Sequence, residues 1–238
     1  MLISLYKFIL APWLLVQGKR VRSQTPRLPE PSGERSGVIC GEKPPLRVLI
    51  CGDSAAAGVG VETQSEALAG QLVAELQQRF PMRQIEWQLW AKNGDSTAVT
   101  LTKLHMKPAQ YFDLVVTSLG VNDVTGQTSP AKFRRNQQAL IQLLQEKFHA
   151  AQILLTALPP MHLFPALPQP LRWFLGQQAR RLTRELDTVA AVNHACDVLD
   201  VSFPMHANVI ASDGFHPGPV GYKLWAQAIV ENIEDPHG

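Results

Sequence analysis

The sequence predicts an α/β protein: a parallel sheet with helices on both faces. Three observations carry that expectation. Short apolar runs rich in β-branched residues alternate with longer segments of helical period. Strands separated by helices pair in parallel, through right-handed crossovers. Residue types that do chemistry follow the strand ends, where open parallel sheets bind their ligands.

The elements follow in chain order. Met1 to Val16 is apolar apart from Ser4 and Lys7, with Pro12 and Trp13 near its end. It is short for a membrane span, which needs about 17–25 residues. A secretory signal would carry its charges before the apolar run and end at small residues. Here Lys19, Arg20 and Arg22 follow the run. Residues 1–17 therefore read as an uncleaved anchor or a shallow interfacial helix. A helix packed on the domain is the third reading. As an anchor, its basic flank keeps the following domain cytoplasmic. A periplasmic or a soluble cytoplasmic protein is the alternative. Residues 18–45, with Pro26, Pro29, Pro31, Pro44 and Pro45, read as a linker. The folded domain is expected over 46–238.

Within it, Arg47 to Cys51 is a buried strand. Ser65 to Phe80 places Leu68, Leu72, Leu76 and Phe80 four apart, on one face of a helix. Gln84 to Trp90 alternates Ile85, Trp87 and Leu89 with polar residues, as a strand does. Asp95 to His105 is helical. Asp113 to Leu119 is a third strand around Val115 and Val116. Pro130 to Phe148 is a helix opened by its proline. Gln152 to Leu158 is a fourth strand and Leu171 to Val192 a long helix. Val198 to Val201 is a short fifth strand, and Tyr222 to Ile233 the closing helix.

Composition narrows the function. A chain of 238 residues can bury a substantial core in one domain. Its net charge of +2 is unevenly spread. Residues 1–35 hold six Lys/Arg against two Glu, and the rest holds sixteen Lys/Arg against eighteen Asp/Glu. The body thus lacks the cationic surplus of a nucleic-acid binder. Cys40, Cys51 and Cys196 lack the spacing of a zinc site.

Four fragments carry the chemistry. Gly52-Asp53-Ser54 puts a serine on a strand-to-helix turn, with Gly58 and Gly60 just beyond. A serine hydroxyl needs a base to become a nucleophile. Asp213-Gly214-Phe215-His216 supplies one, for a carboxylate three residues before a histidine can hold one imidazole nitrogen and leave the other free. Pro217 restricts His216 to extended conformations. Asn93-Gly94 and Gly120-Val121-Asn122-Asp123 offer donors for an oxyanion. Each fragment also has a plainer reading as a turn or helix cap.

In this order the four fragments resemble the motif blocks of the SGNH hydrolase family, also called the GDSL esterase/lipase family. The resemblance spans about Arg47 to Ile233. It implies a three-layer α/β/α sandwich, flavodoxin-like, around a parallel sheet of about five strands. It implies Ser54 as nucleophile and, through its backbone, first oxyanion donor. Gly94 and Asn122 become the other donors, His216 the general base and then acid, and Asp213 its orienter. Ala55 departs from the family pattern, which has leucine after the serine. The implied activity is hydrolysis of a small-molecule acyl ester through an acyl-enzyme, with no metal or organic cofactor. Asp53, Met161, Phe164 and Phe215 are candidate substrate-binding residues. The Pro-rich apolar run 158–174, after the fourth strand, reads equally as an acyl-binding wall or as a packed loop. A carbohydrate O-deacetylase and an inactive membrane-tethered binding domain are the alternatives. A metallophosphoesterase would need several Asp/His ligands around two metals, and no Asp-x-His or His-x-His pair is suitably placed.

Overall fold

The computed structural model describes residues 2–201 and 208–233, and the side chains of residues 10–201 and 208–233. The chain opens with α1 (Leu2–Gln24) and β1 (Ser36–Ile39). Next come β2 (Lys43–Gly52), α2 (Leu68–Arg79), β3 (Arg83–Ala91), α3 (Thr97–His105), β4 (Leu114–Ser118) and α4 (Val121–Thr125). It continues through α5 (Pro130–Phe148), β5 (Gln152–Thr156), α6 (Leu171–Ala190), β6 (Cys196–Leu199) and α7 (Pro219–Glu231).

The sheet runs β1-β3-β2-β4-β5-β6. Five strands are parallel, as the alternation of strands and helices requires. β2 and β4 are buried along their shared register, where Val48 to Ile50 face Leu114 to Val116. The sixth strand is a difference from the sequence reading. β1 pairs antiparallel with β3, Ser36 opposite Gln88 and Ile39 opposite Ile85, inside the stretch read as a linker. Its four residues alternate between exposed and half-buried, so little apolar signal marks them.

Helices cover both faces. Leu68, Leu72 and Leu76 of α2 join Tyr222, Trp225 and Ile229 of α7 in one core. Phe133, Leu140 and Leu144 of α5 join Leu175, Leu182 and Leu186 of α6 in the other. α5 begins where the Ser129 side chain accepts the Lys132 N–H at 3.3 Å, with proline in its first turn. It ends at His149, in the left-handed conformation.

α1 lies against α6. Leu14 is buried, and Leu10 and Val21 pack on the α5–α6 core. Gln17 clasps the start of α6: its Nε2 donates to the Gln169 carbonyl at 2.7 Å and its Oε1 accepts the Leu171 N–H at 3.1 Å. Trp13, Leu15 and Val16 are exposed. Among the described residues no helix is long and apolar enough to cross a membrane, so the spanning anchor expected for residues 1–17 has no support there. α1 packs on the domain, as the third reading expected.

Candidate active site

The carboxyl ends of β2, β3 and β4 carry the site, and β2 and β4 are adjacent strands from which the chain winds in opposite directions. Such a switch point leaves a crevice in an open α/β sheet. Ser54 follows β2. The helix expected over Ser65 to Phe80 is α2. Residues 53–61 form successive turns, with Ala57 N–H donating to the Asp53 carbonyl at 2.9 Å, and α2 begins at Leu68.

His216 arrives from the loop before α7. Its Nε2 lies 2.8 Å from Ser54 Oγ and its Nδ1 lies 2.5 Å from Asp213 Oδ2. The other Asp213 oxygen accepts the backbone N–H groups of Phe215 and His216 at 2.9 and 3.0 Å. The carboxylate therefore fixes both the ring and the chain that carries it. Burial alone would raise the Asp213 pKa. The hydrogen bond and charge of His216, with the two N–H donors, overcome that and hold it below the ordinary carboxylate value.

One glycine makes this approach possible. Gly60 sits at φ +116°, and a Cβ there would lie 2.3 Å from the Pro217 carbonyl and 3.2 Å from His216 Cβ. Only a residue without a side chain lets the serine turn lie this close to the histidine loop.

Asn122 opens α4 after β4. Its Nδ2 donates to the Asp95 carbonyl at 3.0 Å. An amide carries two N–H groups, so one remains for a ligand. Gly94 lies on the exposed turn after β3 at φ +88°, with open space where a Cβ would be. Next to Asn122, buried Asp123 accepts from Thr97 N–H at 3.0 Å and from Thr97 Oγ1 at 2.8 Å, tying α4 to the start of α3. The Asn93 N–H donates to Glu30 Oε1 at 2.8 Å, and Glu30 also pairs with Lys92 and Arg35. Glu30 was missed by sequence reasoning, since nothing within a Pro-rich stretch marks one glutamate as a brace.

Ser54, His216, Asn93 and Asn122 line one pocket of about 240 Å³. Its walls add Val121, Phe164, Ile210, Phe215 and Trp225. Of the candidate substrate-binding residues, Asp53, Phe164 and Phe215 belong to it, and the two phenyl rings meet edge to face at 5.7 Å. Met161 does not: it is buried and faces a neighbouring hollow beside α1. The run 158–174 divides between the pocket and the core. Pro159, Pro160 and Phe164 form pocket wall, while Met161, Leu167, Leu171 and Phe174 pack in the core. Thr156, Ile210 and Trp225 are further lining residues that no motif marked.

Asp53, beside Ser54, is buried and accepts the Ala55 N–H at 3.1 Å. Burial pushes its carboxyl up to about 7 despite that bond and the nearby His216. The three cysteines are free, and among the described residues no group of His, Cys, Asp or Glu gathers as metal ligands would.

An α/β/α sandwich with serine, histidine and aspartate in hydrogen-bonded series at the sheet's carboxyl edge defines a class of hydrolase-like folds, and the comparisons narrow it. The structure is similar to a lipase/acylhydrolase from Enterococcus faecalis, with a TM-score of 0.60 at 23% identity, over 79% of this chain and 94% of that one. It is similar to TesA, with a TM-score of 0.58 at 23% identity, over 78% and 96%. It is also similar to Axe2, an acetylxylan esterase from Geobacillus stearothermophilus, with a TM-score of 0.53 at 17% identity, over 79% and 94%. No curated protein matches significantly. The GDSL-like Lipase/Acylhydrolase family matches residues 50–224, and the chain belongs to that family.

Proposed function

We propose that the protein is a serine esterase that cleaves carboxylic esters through an acyl-enzyme. One observation carries the reading: the continuous series Ser54 Oγ, His216 Nε2, His216 Nδ1 and Asp213 Oδ2, with contacts of 2.8 and 2.5 Å. His216 takes the Ser54 proton as Oγ attacks the ester carbonyl. Asp213, ionised at neutral pH, steadies the imidazolium that forms. The tetrahedral oxyanion accepts hydrogen bonds from the Ser54 N–H, the Gly94 N–H and the second amide hydrogen of Asn122. The C–O bond of the leaving alcohol breaks as His216 returns the proton to it. Water, activated by the same imidazole, then attacks the acyl-enzyme and releases the acid and Ser54. The apolar walls Val121, Phe164, Ile210 and Phe215 favour an acyl group over a sugar in the pocket.

The test is hydrolysis of p-nitrophenyl acetate and butanoate by the full chain. Ser54→Ala and His216→Ala should each lower kcat by at least about 10⁴-fold. Wild-type turnover in Ser54→Ala would refute the mechanism.

A further inference from the structure

A second hollow of about 800 Å³ runs beside the catalytic pocket. Its outer wall is α1, where Leu14, Gly18 and Val21 fall at helical spacing on the inward side. Its inner wall includes Met161, Leu171 and Phe174. The hollow and the catalytic pocket share Val121, Asn122 and Phe215. One apolar cleft therefore continues from the nucleophile, past the Asn122 amide, to the underside of α1. Exposed Lys19, Arg22 and Arg27 form its rim, where their aliphatic stems extend the apolar wall.

We propose that this α1-walled groove receives the acyl chain of the ester, making medium- to long-chain acyl esters the substrate class. The proposal rests on the esterase reading above. Three observations support it. The catalytic pocket alone, at about 240 Å³, is smaller than a typical ligand site of about 300–1,000 Å³, and the groove supplies the missing space. Gly18 weakens the interior of α1 as any helical glycine does, yet a Cβ there would meet nothing within 4 Å. The position is open because it borders the groove. Finally, α1 precedes residues 50–224, so this wall is an addition to the family's matched region.

The test uses p-nitrophenyl esters from butanoyl to hexadecanoyl with the full chain. In wild type, kcat/KM should rise at least about tenfold from butanoyl to decanoyl, since each buried methylene contributes up to about fourfold. Gly18→Ala, Gly18→Leu and Gly18→Trp should shorten the preferred acyl chain in that order. The decanoyl-to-butanoyl ratio should fall at least about tenfold in Gly18→Trp. Ser23→Trp, on the exposed side of the same helix, should keep the wild-type ratio. An unchanged optimum across the three Gly18 variants overturns the groove. So does a wild-type kcat/KM that stays flat or falls from butanoyl to decanoyl. Failure of wild type to cleave even the butanoyl ester is a separate result, and it removes the esterase reading on which the groove depends.

Discussion

At the scale of residues, the site contains two buried carboxyls whose pKa values move in opposite directions. Asp213 faces an imidazole and two N–H donors and stays ionised. Asp53, next to Ser54 in sequence, is buried and accepts the Ala55 N–H, and burial raises its value from 3.8 to about 7. Because the folded value exceeds the unfolded one, the native state binds the extra proton between about pH 4 and pH 7. Stability contributed by neutral Asp53 is therefore present at low pH and lost as pH rises through that window. The cost of ionising it in the fold has an upper bound of about 4 kcal/mol. Asp53→Asn should remove this slope: its urea midpoint relative to wild type should be higher at pH 8 than at pH 5. An equal difference at both pH values would contradict the assignment. Asn122→Ala should lower kcat about 10²–10³-fold, with a smaller effect on KM, as expected for a donor to the oxyanion. A change in KM alone would assign Asn122 to ground-state binding.

At the scale of elements, three loops and the α7 approach are stitched together by few bonds. Asn122 reaches Asp95, Asp123 reaches Thr97, and Glu30 holds the turn that carries Gly94. Gly60 lets the serine turn meet the Pro217 carbonyl. Gly60→Ala should force the Ser54 and His216 loops apart. A misplacement of about 1 Å costs up to about 10²-fold in rate, and the strained backbone costs a further 1–3 kcal/mol, roughly, in stability. Kinetics and urea unfolding together check this; wild-type kcat would show that the contact does not set the geometry. The sequence made Ser54, Asp213 and His216 legible because their spacing is local or tied to a strand end. Glu30 and β1 stayed hidden for the converse reason. β1 is a short, half-exposed edge strand whose partner is β3, and Glu30 acts on a turn far along the chain. Met161, on a 3-10 turn, lines the hollow beside α1 rather than the pocket that its neighbours Pro159 and Pro160 line.

At the scale of the molecule, the order β3-β2-β4-β5-β6 explains why separated fragments make one site. Ser54 and Asn122 follow adjacent strands, and His216 closes over them from the loop before α7. That much was readable from alternating strands and helices, since parallel pairing leaves functional residues at one sheet edge. The contribution of α1 was not readable. Its apolar run suits a membrane as well as a protein surface, and its packing on α6 lies in contacts far along the chain. The central claim, that Ser54 is a nucleophile activated by His216, is tested most directly by covalent capture. A fluorophosphonate should form a single adduct, mapped by mass spectrometry to Ser54 and absent from Ser54→Ala, with labelling slowed in His216→Ala. Ester hydrolysis without an adduct on Ser54 would contradict it.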